Sequence, residues 1–397
     1  MNRPALAAPT LLVLTVAFAL AGPMLSVAPL GMAPLLVAAG ALSYGAERVS
    51  SGTWRPTLGS SFVVLLILLI WCTVSLSWDI NPKDGARKLL DLVMVALSLA
   101  ALLALARRIA PSQRRTLALA LVGGVVLGLV LLGVETIFDF PLYRSVMGNS
   151  DPKLADLVES KRSVDALPLL VWPACLALVV AGSAWAGAIL AVAFAVACVK
   201  LTASSATLGM FISLLIFAAT FASIKWVRRG LAGLTFAAFI LVIPVAFLAY
   251  DHGGTHAHWL KRSAQHRVEI WHFTAGRILE RPLLGWGFNA SRSVPNGDAV
   301  SEFLAPDKPI IPLHPHNAFL QVWLELGAVG VAVVAALLLL GLNGIGRWQD
   351  ERARFALAGY AAGTIVAGLA FGLWQTWWMA TLAFAAAAYR LIGANYD

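Results

Sequence analysis

Apolar stretches of about 17 to 25 residues, the length that crosses the hydrocarbon core of a bilayer, recur along almost the whole of this chain. They are rich in Leu, Ala and Val and lack the alternation of a barrel strand, so the pattern predicts helices. The spacing places spans near 5–23, 25–44, 60–78, 89–106, 116–136, 166–182, 184–199, 206–224, 231–250, 317–345, 355–373 and 375–392. This makes about twelve, with hairpins split at Gly182-Ser183 and between Gly372 and Gln375. Composition agrees: 60% of the 397 residues are hydrophobic and 12% charged. A mean hydropathy of +0.81 excludes a soluble domain. The expected fold is an all-α polytopic membrane protein, one integral membrane domain over 1–397. A single large loop, 251–316, is inserted between spans.

Arg3 followed by an apolar run superficially resembles a secretory signal, but the spans that follow favour an uncleaved first helix. Cys72, Cys175 and Cys198 lie inside predicted spans without metal-ligand spacing, so neither a disulfide nor a zinc site is expected. Basic residues are retained on the cytoplasmic side during insertion. Arg48 and Arg55, then Arg107, Arg108, Arg114 and Arg115, then Lys225, Arg228 and Arg229, then Arg347, Arg352 and Arg354 fall on alternate loops. Both termini are therefore expected in the cytoplasm, and the 251–316 loop on the opposite face with the loop near 137–165. The net charge of +9 is divided between two membrane faces and forms no continuous groove, which argues against nucleic acid.

Lys83, Arg87, Lys88 and Lys200 run against this charge bias. Two readings fit them. Cations near the headgroup level can hold an anionic ligand, for which a diphosphate-bearing lipid is the best fit. Alternatively they snorkel to lipid phosphates, or Arg87 pairs with Asp91 one helical turn on.

All seven histidines lie between His252 and His316, in the one long polar interruption of the chain. Histidine moves protons near neutral pH, so the loop is where chemistry is expected. Within it, residues 263–280 place Val268, Trp271, Ile278 and Leu279 at helical spacing and predict an amphipathic helix at the membrane surface. Arg267 and Trp271, four apart, share a face of that helix; a guanidinium fork matches phosphate oxygens and the ring suits a sugar or prenyl surface. The plainer alternative is that Arg267 caps a helix or pairs with Glu269 or Glu280. Pro282 then stops the helix, and Gly285 and Gly287 allow a tight turn. His252, His256 and His258 have no carboxylate or cysteine set beside them and read as solvated loop residues instead of metal ligands.

His316 opens a spanning helix in His314-Pro315-His316-Asn317, where Asn317 can cap or orient. A neutral imidazole there could take a proton from a hydroxyl, and the helix N-terminus disfavours the imidazolium. An ordinary interfacial histidine is the alternative. Glu325, nine residues on, faces roughly the opposite side of the helix and reads as a packing or hydrogen-bonded residue.

Taken together, Arg267-x-x-x-Trp271, Pro282-Leu283-Leu284-Gly285-x-Gly287, His316-Asn317 and Glu325-Leu326-Gly327 resemble the O-antigen ligase and polymerase superfamily. The motifs span about 60 residues. The resemblance implies an inner-membrane glycosyltransferase of GT-C-like fold with its active site in the periplasmic loop. It would move a glycan from undecaprenyl diphosphate to a sugar hydroxyl of lipid A-core, with no cofactor, metal or nucleotide, as a monomer among membrane lipids. By that similarity His316 is the general base and Arg267 binds the diphosphate, with Lys83, Arg87, Lys88, Lys200, Trp271, His314 and Asn317 as further substrate-binding candidates. One departure stands out: the Ser-Arg-Gly or Ser-Arg-Ala that often opens a middle helix of this family is here Leu201-Thr202-Ala203-Ser204-Ser205-Ala206. Lys200, or Lys83, Arg87 and Lys88, are expected to replace the missing arginine.

The loop holds no paired carboxylates of glycosidase type and the chain no nucleotide-binding glycine loop, so the energy must come from an activated donor. An O-antigen polymerase or a protein O-oligosaccharyltransferase of the same superfamily remains open. A transporter of lipid-linked glycans or anions is the alternative from another class. Against it stand histidines confined to one side and the lack of repeated interrupted helices.

Overall fold

The computed structural model describes residues 5–51, 60–138, 141–147, 162–201, 203–301 and 309–393. Helices follow one another as α1 (Ala8–Val27), α2 (Met32–Ser51), α3 (Ser60–Ser75), α4 (Pro82–Leu105), α5 (Pro111–Ile137), α6 (Pro141–Met147) and α7 (Pro168–Val180). Then come α8 (Ala184–Lys200), α9 (Ser204–Asp251), α10 (Arg262–Glu280), α11 (Ala318–Ile345), α12 (Asp350–Leu369) and α13 (Thr376–Ile392). The starts of α4, α5 and α7 are fixed by Pro82, Pro111 and Pro168, whose missing N–H falls where a helix has no partner for one. Among the described residues there is no strand beyond an isolated bridge of Val300 with Pro309.

Among the described residues, six helices are long and apolar enough to cross a membrane: Ala8–Val27, Pro29–Ser51, Pro82–Arg108, Pro111–Ile137, Ser204–Asp251 and Ala318–Ile345. The sequence reading of about twelve counts more generously. Three of its spans are the short helices Phe62–Ser75, Pro168–Val180 and Ala184–Lys200. The 13 residues of α7 reach about 20 Å against a core of about 30 Å. Arg352 and Arg354 in its first turns dilute α12, and α13 has 17 residues. Leu66, Leu97, Val130 and Ile240 are exposed on outer faces, as a membrane protein requires.

Helix α9 runs for 48 residues, about 72 Å if straight. It is not straight. Ser223 has extended backbone (φ −166°, ψ 110°) and folds the helix back on itself. Phe221 then lies under the Arg354 guanidinium at 4.2 Å, and Arg228 donates to Asn343 at 2.5 Å. Lys261, beyond the far end of α9, returns to donate to Ser204 Oγ at its start, 3.0 Å away. Two antiparallel arms result, matching the two spans expected at 206–224 and 231–250.

The bundle closes by packing α1 on α5 and α2, α2 on α4, and α13 on α4, α2 and α7, while α9 packs on α12, α10 and α11. Gly124 and Gly128, four apart on α5, let it approach α1 at Gly22; a Cβ on Gly124 would stand 2.5 Å from the Ala19 carbonyl oxygen. Phe18, Trp172, Trp378 and Phe384 fill the centre, with Phe18 and Phe384 5.2 Å apart.

Helix α11 is interrupted at Gly327 (φ 62°, ψ −165°), a conformation essentially confined to glycine. Backbone groups freed inside a membrane need partners. The loop after α10 supplies them: Trp286 and Gly287 amides donate to the Leu324 and Glu325 carbonyls (2.9 and 3.0 Å), and the Ala328 amide donates to the Pro282 carbonyl (2.9 Å). Trp71 Nε1 takes the Leu326 carbonyl at 3.1 Å. Gly285 and Gly287 carry positive φ, and a Cβ on Gly285 would stand 2.5 Å from the Glu325 backbone. The Glu325 carboxylate, fully buried, completes the clamp by accepting from the Asn289 amide (3.0 Å), Gln321 Nε2 (3.0 Å), Trp374 Nε1, and the Ser291 hydroxyl and amide. This agrees with its reading as a hydrogen-bonded residue.

Gly327→Ala is expected to lower the thermal midpoint of the detergent-purified protein, since the glycine-only backbone alone costs about 1–3 kcal/mol and the new methyl meets the Leu283 carbonyl. Gly233→Ala on α9, where an added Cβ meets nothing within 4 Å, is the control and should leave the midpoint unchanged or higher. Equal midpoints for wild type and Gly327→Ala would contradict the clamp. Glu325→Gln should also fall below wild type, because its NH2 would face donors on either side, the Asn289 amide and Trp374 Nε1 or the Ser291 amide and Gln321 Nε2.

Candidate functional site

The clamp delivers the next segment. The predicted amphipathic helix is present as α10, burying His266, Val268, Ile270, Ala275 and Ile278 against α9 and α11. Trp271, on its inner side, donates its indole N–H to the Pro315 carbonyl at 3.0 Å. Its indole N–H thus grips the histidine turn. Asn317 caps α11, its Oδ1 accepting from the Phe319 and Leu320 amides at 3.0 and 3.1 Å.

Between these anchors His316 adopts φ 53°, a left-handed backbone that few side chains tolerate. It is held there twice. Its amide donates to His314 Nδ1 (3.1 Å), and its ring Nδ1 lies 2.7 Å from the Ala370 carbonyl at the end of α12. A carbonyl only accepts, so the proton sits on Nδ1 and Nε2 is left with its lone pair. Burial brings the imidazole pKa down to about 4; the Ala370 bond works the other way, and the Arg267 charge and His266 reinforce the lowering. His316 is therefore a neutral base at any ordinary pH.

His314 is more deeply buried. Two backbone amides point at its ring, that of His316 at Nδ1 and that of Gly372 at Nε2, both at 3.1 Å, and the Gln375 amide lies 3.3 Å from Nε2. A neutral imidazole has one lone pair and accepts from one of these amides, whereas an imidazolium could accept from neither, so the cradle favours an uncharged ring. Burial accordingly pushes its pKa well below the usual value, helped by His316 and the charges of Arg292, Arg267 and Arg162.

Arg267 is half-buried, one turn before Trp271. Among the described residues none accepts a hydrogen bond from its guanidinium, while Asp165 acts on it by charge. It does not pair with Glu269 or Glu280: Glu269 accepts from Ser301 Oγ at 2.5 Å, and Glu280 pairs with Arg277 at 2.7 Å. The charges that reach the histidines come from Arg162, Arg267 and Arg292. Arg162 and Arg292 are the residues that sequence reasoning missed; they lie 105 positions or fewer from Arg267 in sequence, on a helical turn before α7 and on the clamp loop beyond α10.

The other candidate cations fall elsewhere. Lys83 and Arg87 are exposed at the start of α4, and Arg87 pairs loosely with Asp84 at 3.6 Å, not with Asp91 as the one-turn spacing allowed. Lys88 takes Asp91 instead (2.8 Å) and reaches Thr376 Oγ1 (3.0 Å), which ties α4 to the start of α13 beside Gln375. Lys200 is exposed at the end of α8. Where the family arginine would open α9, Ser204 accepts from Lys261 and the Ala206 amide is bound by Asp165 at 2.8 Å. Thr202 lies outside the described residues. Asn81 Nδ2 reaches Ser293 Oγ at 3.2 Å, so the α4 start stands beside Arg292.

Residues 188–335 match the family model described as O-antigen ligase. A "putative polysaccharide ligase" of Rickettsia prowazekii (strain Madrid E) is 35% identical over 145 residues, 35% of this chain and 35% of that protein. A protein of the same description from Rickettsia typhi (strain ATCC VR-144 / Wilmington) is 33% identical over the same shares. One from Rickettsia bellii (strain RML369-C) is 37% identical over 123 residues, 30% of each chain. The chain thus matches about a third of the length of these curated relatives. The family match includes Arg267, Trp271, the clamp loop, His316, Asn317, Glu325 and Gly327, and excludes Lys83, Arg87, Lys88 and Arg162. The resemblance drawn from the sequence is borne out: through residues 188–335, which carry the histidine turn and the loop that clamps it, this chain is similar to the O-antigen ligase family.

Proposed function

We propose that this protein is a polysaccharide ligase of the bacterial inner membrane. It transfers a glycan from undecaprenyl diphosphate to a sugar hydroxyl of lipid A-core on the periplasmic face. The observation that carries the reading is His316: a neutral imidazole, its tautomer set by the Ala370 carbonyl, with a lone pair on Nε2 and Arg267 close enough to act on it by charge. In the proposed step the acceptor hydroxyl gives its proton to Nε2 as its oxygen bonds to the anomeric carbon. The bond from that carbon to the diphosphate oxygen breaks, and the leaving diphosphate carries away the electron pair. The guanidinium of Arg267 binds the departing charge, with Arg162 and Arg292 adding positive potential from two further segments. Low dielectric around the turn strengthens these attractions while keeping the base uncharged. Lys83, Arg87 and Lys200 are proposed to meet the donor only peripherally, and Lys88 to position α13.

His316→Ala is expected to lower transfer by about 10²–10⁴-fold with donor binding retained, the usual contribution of a positioned base. Arg267→Ala should weaken donor binding as well as turnover, and Arg267→Lys should recover only part of it, because a lysine lacks the fork. The readout is transfer of labelled glycan by purified protein, together with the lipopolysaccharide profile of a deletion strain carrying each variant. Loss of all polymer from the core, with long polymer accumulating on the donor, supports a ligase. Core bearing a single repeat would mean a polymerase, and an unchanged profile would sink both.

The base must be unprotonated, so the rate should stay level as pH is lowered from 8 to 5 and fall as it passes about 4. An acid limb centred near 6.5, the ordinary histidine value, would show that His316 does not act as described.

A further inference from the structure

The turn between α12 and α13 bonds to the start of α11 residue after residue. His316 Nδ1 donates to the Ala370 carbonyl at 2.7 Å, and the Gly372 amide stands 3.1 Å from His314 Nε2. The Leu373 amide donates to Gln321 Oε1 at 2.7 Å, Trp374 Nε1 donates to Glu325, and Gln375 Nε2 lies 3.3 Å from His314 Nε2. Thr376, the first residue of α13, donates to Asp91 Oδ2 at 2.7 Å and so fastens the turn to α4. Gly372, in the middle of the turn, does not have the positive φ that reserves Gly285, Gly287 and Gly327 for glycine. What excludes a side chain there is His314. A Cβ on Gly372 would stand 2.7 Å from Cδ2 and 2.8 Å from Cγ of that ring, and the three nearest heavy atoms it would meet all belong to His314.

We propose that Gly372 and His314 act as one positioning pair for His316: the bare glycine seats the His314 ring, and the seated ring holds the His316 backbone at φ 53°, from which Nδ1 meets the Ala370 carbonyl. A left-handed backbone on a residue other than glycine persists only where its surroundings over-determine it. Here the His314 ring supplies that surrounding: it is 5% exposed, its Nδ1 lies 3.1 Å from the His316 amide, and the two rings are 4.2 Å apart between centroids. The ring is wedged between two stretches of backbone and cannot move from one without moving from the other. Both its nitrogens face protein amides, which leaves neither for a sugar, so His314 is assigned to positioning in place of the substrate contact expected from the sequence. The consequence for transfer rests on the reading of His316 as the base, but the positioning can be measured without it.

The test uses the full chain labelled with nitrogen-15 in histidine and reads both the His316 signals and the transfer of labelled glycan. Gly372→Ala should move the His316 signals and lower kcat by about 10- to 10²-fold, the effect of misplacing a reacting group by about 1 Å, with KM for the donor unchanged. His314→Ala should do the same. When both substitutions are combined there is no ring for the new methyl to meet, so the double variant should match His314→Ala alone instead of multiplying the two losses. Gly341→Ala, on α11 where a Cβ meets nothing within 4 Å, should match wild type. Wild-type signals and kcat in Gly372→Ala, or losses that multiply in the double variant, would overturn the pairing. A raised KM with kcat unchanged in His314→Ala would overturn it too, by returning His314 to substrate contact. If His316→Ala transfers as well as wild type, the base reading falls and the His316 signals alone decide: moved in Gly372→Ala and His314→Ala they support the pair, unmoved they overturn it.

Discussion

The arrangement of this molecule depends on a break in a membrane helix that another segment repairs. A helix in lipid satisfies every backbone group internally, so opening one turn at Gly327 exposes carbonyls and amides that lipid cannot serve. The Pro282 to Gly287 loop bonds to both sides of the break, and buried Glu325 gathers the following turn through Asn289 and Ser291. Because that loop leaves α10 and the broken helix begins at the histidines, the repair also fixes α10 against the start of α11. Trp271 can then hold the Pro315 carbonyl, and Arg267 comes to stand near His316.

The second constraint is electrostatic. Arginines from three separate segments act by charge on two imidazoles that burial keeps uncharged at rest, one of them in an amide cradle and the other with its tautomer set by the Ala370 carbonyl. Protonated histidines there would add repulsion to a cluster already positive. On the proposed reading, the neutral rings leave the positive potential to an anionic substrate, and His316 keeps a lone pair for a hydroxyl proton.

Much of this is legible in the chain because it is local. The 3.6-residue spacing in 263–280 gives α10 within a residue of its bounds, Asn317 caps as its type suggests, and Pro282 with two glycines marks the loop. What escapes sequence reading is what distant segments contribute. The Ala370 carbonyl that sets the His316 tautomer is 54 positions away, and the Gly372 amide is 58 from His314. Arg162 and Arg292 carry no motif, so attention falls on Lys83, Arg87, Lys88 and Lys200, cations conspicuous only for being on the wrong side of a charge bias. Spacing alone also misjudges Arg87, since Lys88 sits closer to Asp91 and Thr376. Apolar length counts candidate spans without knowing that three of the helices stop short, or that Ser223 folds one long helix into two arms.

The central claim is that His316 is held as a neutral imidazole with its proton on Nδ1 and Nε2 free. Nitrogen-15 NMR of the full chain labelled only in histidine reads this directly, with the His316 signals assigned by their loss in His316→Ala. The account predicts an Nδ1-protonated ring whose shifts stay constant from pH 8 to 5 and move only near 4. A proton found on Nε2, or a titration near 6.5, would contradict it.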